Sequence, residues 1–147
     1  MPDQQFEPDD PREWLQRAQS NLIRARQQAP GVYLEDLCFD AQQAAEKSIK
    51  ALLLHMDVPF PYTHDLADLI TLVQRNGLSV PEEIKAATAL SEYAVETRYP
   101  GLAEPVTEDE HETAVMLAGQ TVRWVEQQIN SSGEPSEDTS ADDDNGK

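Results

Sequence analysis

The stretch "DLCFDAQQAAEKSIKALLLHM", residues 36–56, decides the fold of this chain. Each residue turns an α-helix by about 100°, and at that angle the small and aliphatic side chains in and just before this stretch fall on one broad arc. The arc consists of Leu34, Leu37, Ala41, Ala44, Ala45, Ser48, Ile49, Leu52 and Met56. The spacing therefore predicts a long helix from about residue 33 to residue 56, with this arc in the core of a helical protein.

The opposite side of the same helix carries a polar stripe between two apolar residues. The stripe contains Gln43, Glu46 and Lys50, and it is flanked by Phe39 and Leu53. Two apolar side chains around a polar stripe suggest a second contact, so we predict a homodimer interface at Phe39 and Leu53. Ordinary exposed residues explain the same pattern equally well.

Helix start signals divide the rest of the chain into four further helices. Asp10 and Glu13 predict a capping box at the first helix, which ends at "APG". Thr63 is the predicted N-cap of the third helix. The fourth helix is expected to begin at "SVPE" and to end at Arg98, and the fifth is expected to begin with a second capping box at "TEDE".

These segments predict an all-α fold, because none of them shows the sustained alternation that is typical of strands. We expect an up-and-down helical bundle of four main helices plus one short helix over residues 10–130. Residues 1–9 are predicted to be a flexible leader. Residues 131–147 have one alanine as their only apolar residue and are predicted to be a disordered acidic tail.

The chain is strongly acidic, with a formal net charge of −17 over 147 residues. A field of this sign repels phosphate backbones, so we expect no extended DNA binding, although a small site for a nucleotide or an RNA end is compatible with it. One cysteine and three scattered histidines match no metal-ligand spacing, and we predict neither a metal nor a cofactor. No apolar run is long enough to span a membrane and no secretory signal is found, so a cytoplasmic protein is expected.

Arg98 is the only positive side chain between residues 86 and 118. On a wheel of 3.6 residues per turn it shares a stripe with Ala87, Ser91 and Ala94, which predicts that it points inward at the end of the bundle. A guanidinium on such a face needs a partner. The partner is either structural, such as the helix dipole or Asp65, or it is a bound ligand.

Three other side chains are candidates for ligand binding. His64 follows "PFPYT" at a predicted helix N-terminus, where free backbone N–H groups favour anions, or it only helps to cap the turn. Lys47 and Lys50 lie one turn apart and place positive charge beside a ligand, or they form a solvated face that a neighbouring acid balances. His55 and His111 fall on core faces and are predicted to be partly buried histidines with partners.

Three segments, in order, resemble the HEPN domain family. They are "DLCFDAQQAAEKSIKALLLHM" (36–56), "YTHDLADLI" (62–70) and "ETRYPG" (96–101), and the resemblance spans about residues 11–130. The family implies an all-α bundle that is usually dimeric and is often encoded beside a minimal nucleotidyltransferase, as a toxin–antitoxin-like pair. Some of its members are metal-independent ribonucleases, and others bind nucleotides or are inactive scaffolds.

The ribonuclease members of that family carry an arginine followed, after four to six intervening residues, by a histidine. Arg98 matches the arginine, but the positions of the histidine hold Ala103, Glu104 and Pro105, so only half of the catalytic pair is present. The ligand-binding residues that the resemblance carries over are Arg98, Tyr99, His64, Lys47 and Lys50.

Three functions follow from these residues, and the sequence leaves open whether the protein is an enzyme. The first is a non-catalytic or weakly catalytic HEPN domain that binds a nucleotide or a nucleotidyltransferase-like partner through Arg98 and His64, with Lys50 as a further contact. The second is a metal-independent ribonuclease in which Arg98 holds the phosphate and His64 or Glu104 is a non-standard base. The third is a structural dimeric interaction module built on Phe39 and Leu53.

Overall fold

The computed structural model describes residues 6–94 and 105–133. These residues form five α-helices and one 3₁₀ helix, and none of them forms a strand, so the predicted all-α bundle is confirmed. In chain order the elements are α1 (Pro11–Ala25), α2 (Leu34–His55), α3 (Leu66–Arg75), α4 (Glu82–Lys85), the 3₁₀ helix η1 (Ala86–Tyr93) and α5 (Glu108–Gly133). None of these helices combines the length and the apolar character of a membrane span.

Helix α2 is the centre of the bundle and packs against α1 and α5, with α3 and η1 also in contact with it. Ala41, Ala44 and Ala45 lie on the predicted arc and are fully buried, and their small side chains let neighbouring helices approach closely. The opposite side of α2 is covered as well, because Glu46 and Lys50 are also buried. The prediction of a second, accessible side is therefore wrong for these residues, since the connection between α2 and α3 places aromatic side chains over them.

The two residues predicted to form a dimer interface have different surroundings. Leu53 is fully buried among the core residues of its own protomer, whereas Phe39 is half-buried. Leu53 is thus not accessible to a second copy, and its assignment to an exposed face is wrong. A homodimer that uses Phe39 stays a prediction.

A side-chain cap begins α1, but the predicted capping box does not form. Asp10 is the N-cap, and its carboxylate accepts a hydrogen bond from the Arg12 N–H at 2.8 Å. Glu13 accepts from the Phe6 N–H at 3.1 Å and so binds the preceding segment instead of the Asp10 N–H. The Asp10 N–H donates to the Glu7 carbonyl oxygen, which removes the need for the box.

The N-cap of α3 is Asp65 and not Thr63, the residue that the sequence predicts. The Asp65 carboxylate accepts from the Ala67 N–H at 3.0 Å, while Thr63 Oγ1 accepts from the Asp65 N–H just before the helix. Both residue types are good caps, and the later one begins the helix. At α5 the predicted capping box is confirmed, because Thr107 and Glu110 each accept a hydrogen bond from the other's N–H.

The predicted fourth helix is a short α-helix that continues as a 3₁₀ helix. A 3₁₀ helix has three residues per turn, and the buried side chains accordingly recur at every third position. They are Ile84, Ala87, Leu90 and Tyr93. The predicted inward stripe is therefore wrong beyond Ala87, since Ser91 and Ala94 are only half-buried, and Arg98 lies outside the described residues.

Helix α5 runs antiparallel to α1 and is fixed to it at two heights. His111 Nε2 lies 2.7 Å from the Ala25 carbonyl oxygen, and Gln19 donates to the Glu126 carboxylate at 2.6 Å. His111 is buried and has a partner, as the sequence predicts. The first contact places the end of α1 beside the first turn of α5, and the second joins the middle of α1 to the second half of α5.

Candidate functional site

The motif "QQAAEKSIK" of α2 places a buried ion pair in the candidate site. Lys50 Nζ lies 2.8 Å from Glu46 Oε2, one helical turn away, and each side chain is only 5% exposed. The rings of Trp14, Phe60 and Tyr62 surround the ammonium group, with centroids 5.8, 5.6 and 5.8 Å from Nζ. The carboxylate and the cation–π contacts satisfy Lys50 inside the protein, so it is not free to bind a ligand.

His64 reaches the same carboxylate from the connection that precedes α3. Its Nδ1 lies 2.9 Å from Glu46 Oε1 and 3.1 Å from Oε2, and its ring packs edge-on to Tyr62 with 5.3 Å between the centroids. The His64 side chain is 45% exposed, and its Nε2 has no hydrogen bond among the described residues. A carboxylate on one ring nitrogen orients the imidazole and leaves the other nitrogen for a ligand.

Glu46 connects these side chains. Besides Lys50 and His64 it binds Gln42, whose Nε2 donates to Oε1 at 2.8 Å. Burial raises the pKa of Glu46, but the hydrogen bonds from Lys50, Gln42 and His64 more than offset it, so the pKa lies below the usual carboxyl value. This connecting role goes beyond the sequence prediction of a solvated face. The signal for it is the i, i+4 spacing of Glu46 and Lys50.

Lys47 lies on the α1 side of α2 and belongs to a second polar cluster. Its Nζ donates to Asn21 Oδ1 at 2.9 Å, and Asn21 Nδ2 donates to the buried Asp40 carboxylate at 2.9 Å. Arg24 reaches the other oxygen of Asp40 at 3.5 Å. Burial lowers the pKa of Lys47, and the positive charge of Arg17 lowers it further. An anion beside Lys47 would offset both effects.

A cavity of about 560 Å³ lies beside Lys47. Its lining combines two cations, two aromatic rings and one carboxylate. The lining residues are Phe6, Pro8, Glu13, Trp14, Arg17 and Lys47. Trp14 also contacts Lys50, so the cavity and the buried ion pair share one wall. The volume falls in the range of small-molecule sites, and aromatic walls with a few polar groups are typical of them.

A smaller cavity of about 250 Å³ lies between η1 and α5. Its lining includes the carboxylates of Glu92, Asp109 and Glu110 and contains no positive side chain. Three acids around one opening disfavour an anionic ligand. Of these two cavities, the one beside Lys47 is therefore better suited to a phosphate-bearing molecule.

The structure brings together part of the predicted site. His64 and Lys50 meet through Glu46, whereas Lys47 belongs to a separate cluster with Asn21. Arg98 and Tyr99 lie outside the described residues. Within residues 6–94 and 105–133, no group of three or more histidine, cysteine, aspartate or glutamate side chains is placed to hold a metal ion.

Comparison with known proteins gives one family and two similar crystal structures. The HEPN domain family matches residues 11–128 of this chain. An archaeal HEPN homologue, ST0689, is 26% identical with a TM-score of 0.65, over 82% of this chain and 98% of that chain. The protein TT1696 from Thermus thermophilus is 33% identical with a TM-score of 0.64, over 80% of this chain and 97% of that chain. No curated protein sequence matches the chain.

Proposed function

The chain belongs to the HEPN domain family, and from this premise we propose that it binds a single nucleotide or the terminal nucleotide of an RNA strand. The observation that carries the proposal is the cavity beside Lys47, which combines two cations with an aromatic wall. A phosphate would bind between Lys47 and Arg17, and a base would stack on Trp14. Binding is the main activity, and any catalysis is weak.

The two cations of the cavity, Lys47 and Arg17, are available to bind a phosphate, whereas Lys50 is held by its buried ion pair. The hydrogen-bond partner of Lys47 is the neutral Asn21 amide, and no carboxylate among the described residues forms a direct ion pair with its ammonium group. Arg17 pairs with Glu13 at the surface, and exposed pairs of this kind contribute only about 0–1 kcal/mol, so a phosphate competes for Arg17 at small cost. The acidic field of the chain is screened within about 10 Å at moderate salt, and local cations therefore dominate inside the cavity.

We expect that Lys47→Met weakens nucleotide binding by about tenfold or more, since a hydrogen bond to a charged group contributes about 1.5–3 kcal/mol. Methionine keeps most of the length of lysine and removes its charge. Isothermal titration calorimetry with ATP, GTP and AMP measures the change. Lys85→Met is the matched control, because Lys85 lies on the surface of α4 and pairs with Glu82.

Circular dichroism and a melting curve show whether Lys47→Met remains folded. The proposal fails if none of the three nucleotides gives heat with the wild-type protein. It also fails if folded Lys47→Met binds as tightly as the wild type, or if Lys85→Met loses as much affinity as Lys47→Met does.

A second candidate function, metal-independent RNA cleavage, is supported by the contact between His64 and Glu46. A general base needs a group that orients it and a free atom that takes the proton. His64 has its Nδ1 on the Glu46 carboxylate, and its Nε2 is unbonded among the described residues. His64 would take the proton of a 2′-hydroxyl group, while Arg98, which lies outside the described residues, would bind the phosphate.

If this second function holds, purified protein cleaves RNA in EDTA and His64→Gln lowers the rate by about 100-fold or more, the usual contribution of a general base. His55→Gln is the matched control, since His55 lies half-buried at the end of α2. RNA that stays intact with the wild-type protein would exclude this function, and full activity of His64→Gln would exclude His64 as the base.

The partner and the assembly are proposals that rest on the family resemblance. We propose a cytoplasmic homodimer that acts with a nucleotidyltransferase-like protein in a toxin–antitoxin-like pair. A purely structural dimeric module is the remaining alternative, and the half-buried Phe39 supports it.

A further inference from the structure

A second cationic cluster lies on the face shared by α1 and α5, where two guanidinium groups meet over Gly119. If a Cβ atom is placed on Gly119, Arg26 Nη2 and Arg123 Nη1 are each 3.3 Å from it. The two nitrogens are therefore no more than twice that distance apart. Both arginines are exposed residues.

Helix geometry explains why the two groups converge. Arg123 follows Gly119 by four residues on α5, and helical side chains lean toward the helix N-terminus, so its guanidinium covers the glycine. Arg26 is the C-cap of the antiparallel α1, whose end is fixed against α5 by the contact between His111 and the Ala25 carbonyl oxygen. Because glycine has no side chain, both guanidinium groups can approach the position that a side chain at residue 119 would occupy.

Neither guanidinium has an acidic partner in the part of the chain that the structure describes. The side chains of Arg26 and Arg123 form no ion pair or hydrogen bond there, whereas five other cations each contact a carboxylate. Those five are Arg12, Arg17, Arg24, Lys50 and Lys85. Two unpaired arginines side by side repel each other, so an anion between them is favoured.

We propose that Arg26 and Arg123 bind a phosphate group over Gly119. A guanidinium presents its N–H donors in a planar fork that matches phosphate oxygens, and two such forks hold one phosphate from two sides. The absence of a side chain at Gly119 lets the two guanidinium groups come close together over the helix. This site lies between α1 and α5, apart from the cavity beside Lys47, and it goes beyond the nucleotide binding proposed above.

Inorganic phosphate tests the site when it is titrated into the full chain carrying Lys47→Met, a substitution that weakens phosphate binding in the cavity beside Lys47. The readout is the NMR chemical shift of the arginine side-chain Nε–Hε groups. We expect the Arg26 and Arg123 signals to move together. Adding Arg123→Gln should weaken phosphate binding by about tenfold. Arg75→Gln is the matched control, because Arg75 is another exposed arginine without an ion pair among the described residues.

Gly119→Ala keeps both positive charges and changes only how closely the two guanidinium groups approach each other. It therefore tests whether phosphate binding needs the close approach. Its methyl group would lie 3.3 Å from both guanidiniums and push their flexible ends apart, while alanine favours the helix over glycine. We expect an equal or higher Tm together with weaker phosphate binding. The proposal is overturned if phosphate moves neither arginine signal, if Arg123→Gln binds phosphate as Lys47→Met alone does, or if Arg75→Gln weakens binding equally.

Discussion

Glu46→Ala should lower the free energy of unfolding by about 3–5 kcal/mol, because it leaves the Lys50 ammonium buried without its counter-ion. The Lys50 side chain is only 5% exposed and three aromatic rings surround its ammonium group, so water compensates poorly for the lost carboxylate. The substitution also removes the acceptor that Gln42 and His64 share. Urea unfolding followed by circular dichroism at neutral pH measures the change.

A double substitution shows whether the loss of stability comes from the unpaired charge of Lys50 or from any change at position 46. Glu46→Leu together with Lys50→Met removes both charges and keeps similar side-chain volumes. Proteins in which a buried ion pair is replaced in this way often lose no stability. We therefore expect the double variant to be more stable than Glu46→Ala. A double variant as unstable as Glu46→Ala would contradict the assignment, and so would a Glu46→Ala variant within about 1 kcal/mol of the wild type.

The same ion pair gives the stability a defined dependence on pH. Burial raises the pKa of Glu46, but its hydrogen bonds lower it more, and the folded-state pKa lies below the usual value of 4.5. The stabilisation from its charge is complete above that usual value and is lost as the pH falls through the folded-state pKa. Glu46→Gln has no titrating group here, so the stability difference between the wild type and this variant should shrink on acidification. A difference that stays constant into the acid range would argue against the pair as its source.

The fold of this chain is predictable because the helical spacing of apolar residues is repeated many times in one helix. The predictions are wrong where the repeated segment is short. The arc of α2 recurs for about six turns, which fixes both the helix and the bundle around it. The stretch "AATALSEY" of η1 is too short to distinguish three residues per turn from 3.6. A tertiary contact accompanies the tighter helix there, since the Ser91 hydroxyl accepts a hydrogen bond from the Leu66 N–H at 3.0 Å.

The candidate site is less predictable than the fold, because its contacts join distant parts of the chain. The spacing of Glu46 and Lys50 predicts an ion pair, but a helical wheel cannot show that the pair is buried. Burial depends on Phe60 and Tyr62, whose connection crosses α2 along a path that the tertiary structure sets. His64 and Glu46 are 18 residues apart, and no periodicity relates them.

Leu53→Ala should lower the free energy of unfolding by about 2–5 kcal/mol, the usual cost of a large-to-small substitution in a core. Leu53 is fully buried in the hydrophobic core, so the lost methyl groups leave a cavity that the surrounding helices fill only in part. Leu54→Ala is the matched control, since Leu54 is the next residue on the same helix and is only half-buried. Its loss should be less than half as large when both are measured by urea unfolding.

The dependence of this loss on protein concentration separates a core residue from an interface residue. If Leu53 joined two copies, the unfolding midpoint of the wild type would rise with protein concentration, and the loss in Leu53→Ala would change with it. Because Leu53 is buried within one protomer, we expect the same loss over about a hundredfold range of concentration. Phe39→Asp tests the predicted homodimer separately, since a smaller species on a sizing column would place Phe39 in the interface. The opposite result would be a loss of stability in Leu53→Ala that varies with protein concentration, together with an unchanged assembly in Phe39→Asp. It would show that Leu53 lies in the dimer interface and that Phe39 does not.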